Sequence, residues 1–170
     1  GAANAFFAID ENDNGVWRGA PTEANTGTDE ASRTYDAWFV VDFGAYYDIN
    51  LVTIKFENAC SQKYHVDFSE DATNWNTTYN YEGNAGWNAH TACIAGSDLQ
   101  NATKVRYARF YSTMAATEFG VQIYSFKVFG TPYVAAGDTE KPVMGTATLV
   151  SKTHKSAIIA VSATDNDEVG

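Results

Sequence analysis

Cysteine is scarce in this sequence: Cys60 and Cys93 are the only two in 170 residues. Neither sits in a CxxC pair or a Cys/His cluster, which excludes zinc-site and dithiol redox motifs. Two buried free thiols are the expected state, with a Cys60–Cys93 disulfide as the alternative. Basic residues are few as well: 11 Lys+Arg against 21 Asp+Glu give a formal net charge of −10. A polyanion is repelled at long range, and nucleic acid or anionic membranes both need Lys/Arg patches that are missing here. There is no run of about 18 apolar residues, so nothing is expected to insert into a bilayer. No signal peptide is visible, and a chain opening on Gly1 reads as trimmed. Catalytic signatures are also wanting. The adjacent carboxylates Asp29/Glu30 and Glu70/Asp71 lie on turns and are solvated pairs, not an acid and base straddling a bond. Ser, His and Asp occur without a nucleophile elbow.

What the sequence does have is aromatic residues and strand patterns. Its 10 Tyr, 10 Phe and 4 Trp suffice for a sandwich core and leave some rings for a surface site. Strands are expected near Phe39–Asp42, Leu51–Phe56, Tyr64–Ser69, Asn76–Tyr81, His90–Ile94, Val105–Tyr111 and Val121–Phe129, with no sustained helical period. The Leu51–Phe56 and Val121–Phe129 runs alternate apolar and polar residues, as half-buried strands do. Ser69–Asn74 and Gly96–Asp98 are rich in turn formers. Short strands with such spacing predict an all-β, antiparallel sandwich.

The character changes around Gly130. Residues 132–142, bracketed by Pro132 and Pro142, read as a linker between a first domain at 1–131 and a partial one at 143–170. In the latter, strands are expected at Thr146–Val150 and Ala157–Val161, with a turn at Asp165–Asp167. About 30 residues cannot close a sandwich of the usual ~100, so this reads as the opening strand pair of a truncated immunoglobulin- or fibronectin-like domain.

Six motifs occur in a fixed order. They are Ala8-Ile9-Asp10-x-Asn12 leading to Trp17; Trp38-x-Val40-Val41-Asp42-Phe43-Gly44; Val52-x-Ile54-x-Phe56; Tyr64-x-Val66-x-Phe68-Ser69-x-Asp71-x-x-x-Trp75; Val105-Arg106-Tyr107-Ala108-Arg109-Phe110; and Gly120-x-x-Ile123-x-x-Phe126-x-Val128-x-Gly130. On these the first ~130 residues resemble the discoidin, or F5/8 type C, family, and within it the bacterial carbohydrate-binding modules of family 32. The resemblance implies a jelly-roll-like, galactose-binding-like β-sandwich, no catalysis, and glycan binding by loops at one end. It also implies a place beside a secreted, cell-surface or periplasmic bacterial glycoside hydrolase. The linker and tail resemble those of Bacteroidetes chitobiase- or hexosaminidase-type proteins.

The acidic run Asp10–Gly15 groups hard oxygen ligands, so Asp10, Asn12 and Asp13 are candidates for one structural Ca2+. An EF-hand is not expected, because its twelfth position is Pro21 where a bidentate Glu is needed and no flanking helices are apparent. An Asx-rich turn without metal is the alternative. The family often carries Thr two residues before the first Trp and Glu in the last strand, both helping to hold calcium; here those places hold Gly15 and Ser125.

Strand parity locates the ligand site. Antiparallel strands reverse at each turn, so the loops within Arg18–Ala37, Glu57–Lys63, Glu82–Ala89 and Ser112–Phe119 should emerge at one end. They supply Asp29, Arg33, Tyr35, Asn58, Gln62, Trp87, Asn88 and Phe119: rings beside amide, carboxylate and guanidinium groups, as a sugar requires. Trp17, Trp38 and Trp75 belong to the family framework and are expected in the core. His65 and His90 are expected to be ordinary strand residues. Galactose-reading members often place an Arg after the second strand and a His in the first long loop; Glu57 and Asn58 take the former place, and the latter has no His. The expected partner is a neutral or amino sugar of galactose or N-acetylhexosamine type, since an acidic site disfavours sialate and uronate. An adhesion module gripping a protein with the same loops is the other reading.

Overall fold

Alternation between turn clusters becomes seven antiparallel strands. The computed structural model describes residues 6–9, 15–19, 27–84 and 86–135, together with the backbone of short strands beyond them. Asp10, Asn12, Asp13, residues 136–142 and the 165–167 turn lie outside the described residues. The strands are β1 (Trp17–Gly19), β2 (Thr34–Phe56), β3 (Ser61–Ser69), β4 (Asn76–Glu82), β5 (Thr91–Ala95), β6 (Val105–Ala115) and β7 (Val121–Pro132). A single helical turn, α1 (Glu30–Arg33), precedes β2, and a 3-10 turn (Gly96–Leu99) follows β5. Neither β1 nor α1 is legible in the sequence pattern, because three or four residues carry no period. His90, expected in a strand, precedes β5 and stacks on Phe56 with ring centroids 4.8 Å apart.

The expected strands Phe39–Asp42 and Leu51–Phe56 are one unbroken ladder, β2, that reverses direction. Its ends, Thr34 and Phe56, pair with Met114 and Ile123 on either side of the short β6–β7 connection. Its middle residue Tyr47 pairs with both Val105 and Pro132, at the other end of those strands. The register slips between Asp42 and Tyr47. There Gly44 takes φ +76°, a region open to glycine, and its N–H donates to Asp42 Oδ1 at 2.8 Å. This reversal splits one continuous sheet into two layers. The first half of β2 joins β6, β3 and β4; the second half joins β7, β1 and β5. The result is the antiparallel sandwich that the sequence predicts.

Aromatic rings fill the space between the layers. Phe39 meets Phe126 at 5.3 Å and 90°, and Phe56 meets Phe110 at 6.0 Å. Trp17, 1% exposed, contacts both Phe39 and Phe110 edge-on. Each such buried side chain contributes roughly 1.5–3 kcal/mol.

Two of the three framework tryptophans are not core residues. Ala37 and Phe39 point inward, so the period of two turns Trp38 outward, where it is 54% exposed. Trp75 is half-buried, and the Arg109 guanidinium lies 4.4 Å from its ring centroid. That guanidinium is held by fully buried Asp67, whose Oδ2 accepts from Arg109 Nε at 2.7 Å and whose Oδ1 lies 2.6 Å from His65 Nδ1. Both cysteines are free, but only Cys60 is buried; Cys93 is exposed. Alternation in β5 explains the correction, since buried Ile94 forces its neighbour to the outer side.

The chain divides into two units, Gly1–Tyr133 and Val134–Gly170. In the second, β8 (Val143–Met144) pairs with β11 (Ala163–Thr164), and β9 (Thr148–Lys152) with β10 (Ala157–Ala160). The expected Thr146–Val150 and Ala157–Val161 strands correspond to β9 and β10. Among the described residues no helix is long and apolar enough to cross a membrane.

Candidate functional site

Hydrogen bonds tie together the four loops that parity assigns to one end. Arg33, on α1, is the hub. Its Nη1 donates to Gln62 Oε1 and to the Ala115 carbonyl, each at 2.8 Å, and its Nε to the Thr28 carbonyl at 3.1 Å. The β4–β5 loop is tied in by backbone bonds: Gly83 N–H to the Gln62 carbonyl at 2.8 Å, Gly86 N–H to Ala116 at 3.0 Å and Asn88 N–H to Asn58 at 3.1 Å. Asn58 adds a second link, its Oδ1 accepting from the Ala89 N–H at 3.2 Å.

This network sets the Trp87 and Phe119 rings side by side. They are 59% and 52% exposed, and their centroids lie 5.0 Å apart at 40°. Phe119 is fixed on both sides: its N–H donates to Thr117 Oγ1 at 3.3 Å, and its carbonyl accepts from Gln122 Nε2 at 3.2 Å. Two large exposed rings in contact present apolar surface that isolated rings on a loop would not hold in place.

The remaining expected residues divide into those that face outward and those occupied within the rim. Asn58 and Asn88 are exposed. The carbonyl oxygens of Asn58 and Gln62 are engaged by Ala89 and Arg33, leaving both amide NH2 groups as donors. Asp29 caps α1: its Oδ1 accepts from Ser32 N–H at 2.9 Å and its Oδ2 from Ser32 Oγ at 2.8 Å. The Ser32 backbone N–H, foremost, and then its hydroxyl hold the Asp29 carboxyl below its ordinary value. Tyr35 is half-buried and donates to the Gly19 carbonyl at 3.2 Å; burial pushes its phenol up to about 12. Arg33 and Tyr35 thus shape the rim from inside.

Sequence reasoning missed Thr117, Gln122 and His90, which position the two rings and the loop between them. His90 Nδ1 lies 2.7 Å from the Asn88 carbonyl while its ring stacks on Phe56. Their signal was weak: each is a polar residue in or beside a loop next to a strand end, a place that polar residues fill for many reasons.

Among the described residues no group of three or more His, Cys, Asp or Glu could hold a metal ion. The two positions where the family often carries calcium-supporting side chains offer little. A Cβ at Gly15 would run into the Phe7 ring, so Thr does not fit there unless that ring moves, and Ser125 supplies one buried hydroxyl. An ion would rest on Asp10, Asn12 and Asp13. The rim itself offers stacking surface and amide donors, which is equipment for binding.

Comparison with known proteins gives the same kind of module. The sequence model of the F5/8 type C domain matches residues 1–125. Chitosan-binding module 1 from a chitosanase/glucanase of Paenibacillus sp. IK-5 is 25% identical with TM-score 0.59, over 76% of this chain and 88% of that one. Module 2 of the same enzyme, solved with chitotriose, is 23% identical with TM-score 0.57, over 76% and 89%. CpGH89CBM32-5 of Clostridium perfringens, solved with GalNAc-β-1,3-galactose, is 20% identical with TM-score 0.54, over 73% and 81%. No curated protein sequence matches the chain. The two Paenibacillus neighbours are chitosan-binding modules. The chain belongs to the F5/8 type C domain family.

Proposed function

We propose that this chain is a carbohydrate-binding module that holds a larger glycoside hydrolase against a glycan, taking a neutral or amino sugar through the Trp87–Phe119 rim. The exposed ring pair is the observation that carries the reading. A pyranose has an apolar C–H face that stacks on a ring and hydroxyls that accept from the Asn58 and Gln62 amides. The two Paenibacillus modules bind chitosan and derive from a chitosanase/glucanase, which supports both the ligand class and an enzyme partner. Galactose and N-acetylhexosamines are the favoured sugars, with a chitobiase- or hexosaminidase-type enzyme as parent. The site of action is extracellular, at the cell surface or periplasmic, where such glycans are met. A structural calcium ion in the Asp10–Gly15 loop belongs to the same proposal.

A single site of this kind binds at mM to µM, about −4 to −8 kcal/mol, and tethering makes that affinity useful through effective concentration. The test is a glycan array followed by calorimetry on the best sugar. Trp87→Ala and Phe119→Ala should each weaken binding about tenfold or more while the melting temperature stays put. Absence of any sugar hit, or affinity untouched by both variants, would remove the proposal and favour a protein partner.

A further inference from the structure

The other pole of the first unit carries a second cleft. Strand β3 begins at the rim with Ser61 and ends at Ser69 in the cleft wall; its nine residues, at about 3.3 Å each, set the two roughly 25 Å apart. The cleft has a volume of about 490 Å³, in the size range of small-ligand sites. Phe68, Ser69 and Val105 are its buried residues, and Tyr46 contributes a ring that is 42% exposed.

Its charges are spent internally. The Glu70 carboxylate lies 2.9 Å from Lys104 Nζ. Asp71 Oδ1 accepts from the Thr73 and Asn74 N–H groups, each at 2.8 Å, and from Ser69 Oγ at 3.0 Å; its Oδ2 accepts from Asn74 Nδ2 at 2.7 Å. By contrast the side chains of Asn76, Asn101 and Thr103, which also line the cleft, make no hydrogen bond to any described residue. The polar groups it leaves unpartnered are therefore neutral, two amides and a hydroxyl, and beside them is the Tyr46 ring, with Lys104 Nζ 5.7 Å from its centroid. A free anion finds no spare cation there, since Lys104 is paired with Glu70.

The two flanking segments are also held in unusual backbone geometry. Ala72 (φ 59°) and Lys104 (φ 51°) are the only non-glycine residues with positive φ among the described residues; each is next in sequence to lining residues, Ala72 to Asp71 and Lys104 to Thr103 and Val105. Such conformations persist only where the surroundings fix them, and they concentrate at ligand sites. The Lys104–Glu70 pair joins one segment to the other, and the Lys104 N–H donates to Asp48 Oδ1 at 3.0 Å.

From this combination we infer a second carbohydrate site, specific for a neutral sugar, formed by Tyr46, Asn76, Asn101 and Thr103 at the pole opposite the rim. With two sites facing opposite ways the module is bivalent: one pole engages a glycan while the other engages a second strand of it. Avidity then follows from geometry without a stronger single contact.

The test is NMR chemical-shift mapping on the full 170-residue chain, titrated separately with galactose, glucose and N-acetylglucosamine. Saturating shifts at Tyr46, Asn76, Asn101 and Thr103 are expected with at least one of them. They should persist in a Trp87→Ala/Phe119→Ala double variant. Asn76→Ala/Asn101→Ala should weaken the cleft affinity at least tenfold and leave rim shifts unchanged, with the rest of the spectrum showing that the fold is intact. No saturating shift at the cleft with any of the three sugars, or cleft shifts that vanish with the rim variant, would overturn the second site. Because the two poles are read at different residues, loss of the rim reading leaves this test standing, and the reverse holds too.

Discussion

Arg33 Nη1 stands 2.8 Å from Gln62 Oε1 and, in the same grip, 2.8 Å from the Ala115 carbonyl, so one guanidinium joins three loops of the rim. Arg33→Ala should destabilise the fold by about 1.5–3 kcal/mol, the range for hydrogen bonds to a charged group. It should also weaken sugar binding, although Arg33 needs no contact with the sugar. Arg33→Lys should recover little, because a point charge cannot reproduce the fork. Urea unfolding together with calorimetry checks both effects. Full retention of binding in Arg33→Ala would show that the rim does not depend on this staple.

Trp17 and Trp38 make a matched contrast. Both stand in family motifs, yet one is 1% and the other 54% exposed. Trp17→Ala should cost about 3–5 kcal/mol by emptying the space between Phe39 and Phe110. Trp38→Ala should cost roughly 0.5 kcal/mol, as surface positions do. Chemical denaturation of the two variants side by side decides the matter.

Acid should act on the β3–β4 turn. The Asp71 carboxyl is held well below its ordinary value, first by the Asn74 backbone N–H and then by that of Thr73. A folded-state value lowered in this way gives stability that is present above the unfolded value of about 3.9 and lost as pH falls toward the folded one. Carboxyl-detected NMR should find Asp71 still ionised at pH 3.5. Asp71→Ala should flatten the acid limb of the stability curve; an unchanged limb would count against this turn as the acid-sensitive element.

Calcium gives a separate prediction. With the ion proposed for the loop, calcium at about 100 times its dissociation constant should stabilise by about 2.7 kcal/mol. The melting temperature should rise with added CaCl2, fall with chelator, and lose this response in Asp13→Ala. A melting temperature indifferent to chelator would show that the loop holds as an Asx-rich turn.

The reversal at Gly44 shows how far the pattern could be read. Asp42-Phe43-Gly44 marks a turn, and the chain does turn there, but the hydrogen-bonded ladder runs through it. Turn chemistry is local and so visible in sequence, whereas ladder continuity depends on β6 and β7, which are distant in the chain. The same division explains the tryptophans. A motif fixes that Trp38 lies in a strand; which face it takes depends on register, and one residue of register inverts the side.

By itself, the sequence determined where most of the strands lie, their antiparallel sense and the set of loops that share an end, because alternation, turn residues and parity are properties of neighbours along the chain. Tertiary structure alone decided that Trp87 and Phe119 touch, that Arg33 faces inward and that Asn76 and Asn101 share a cleft. Those relations depend on where separate strands end in space, and residues distant along the chain are joined only once both layers of the sandwich have packed around the aromatic core.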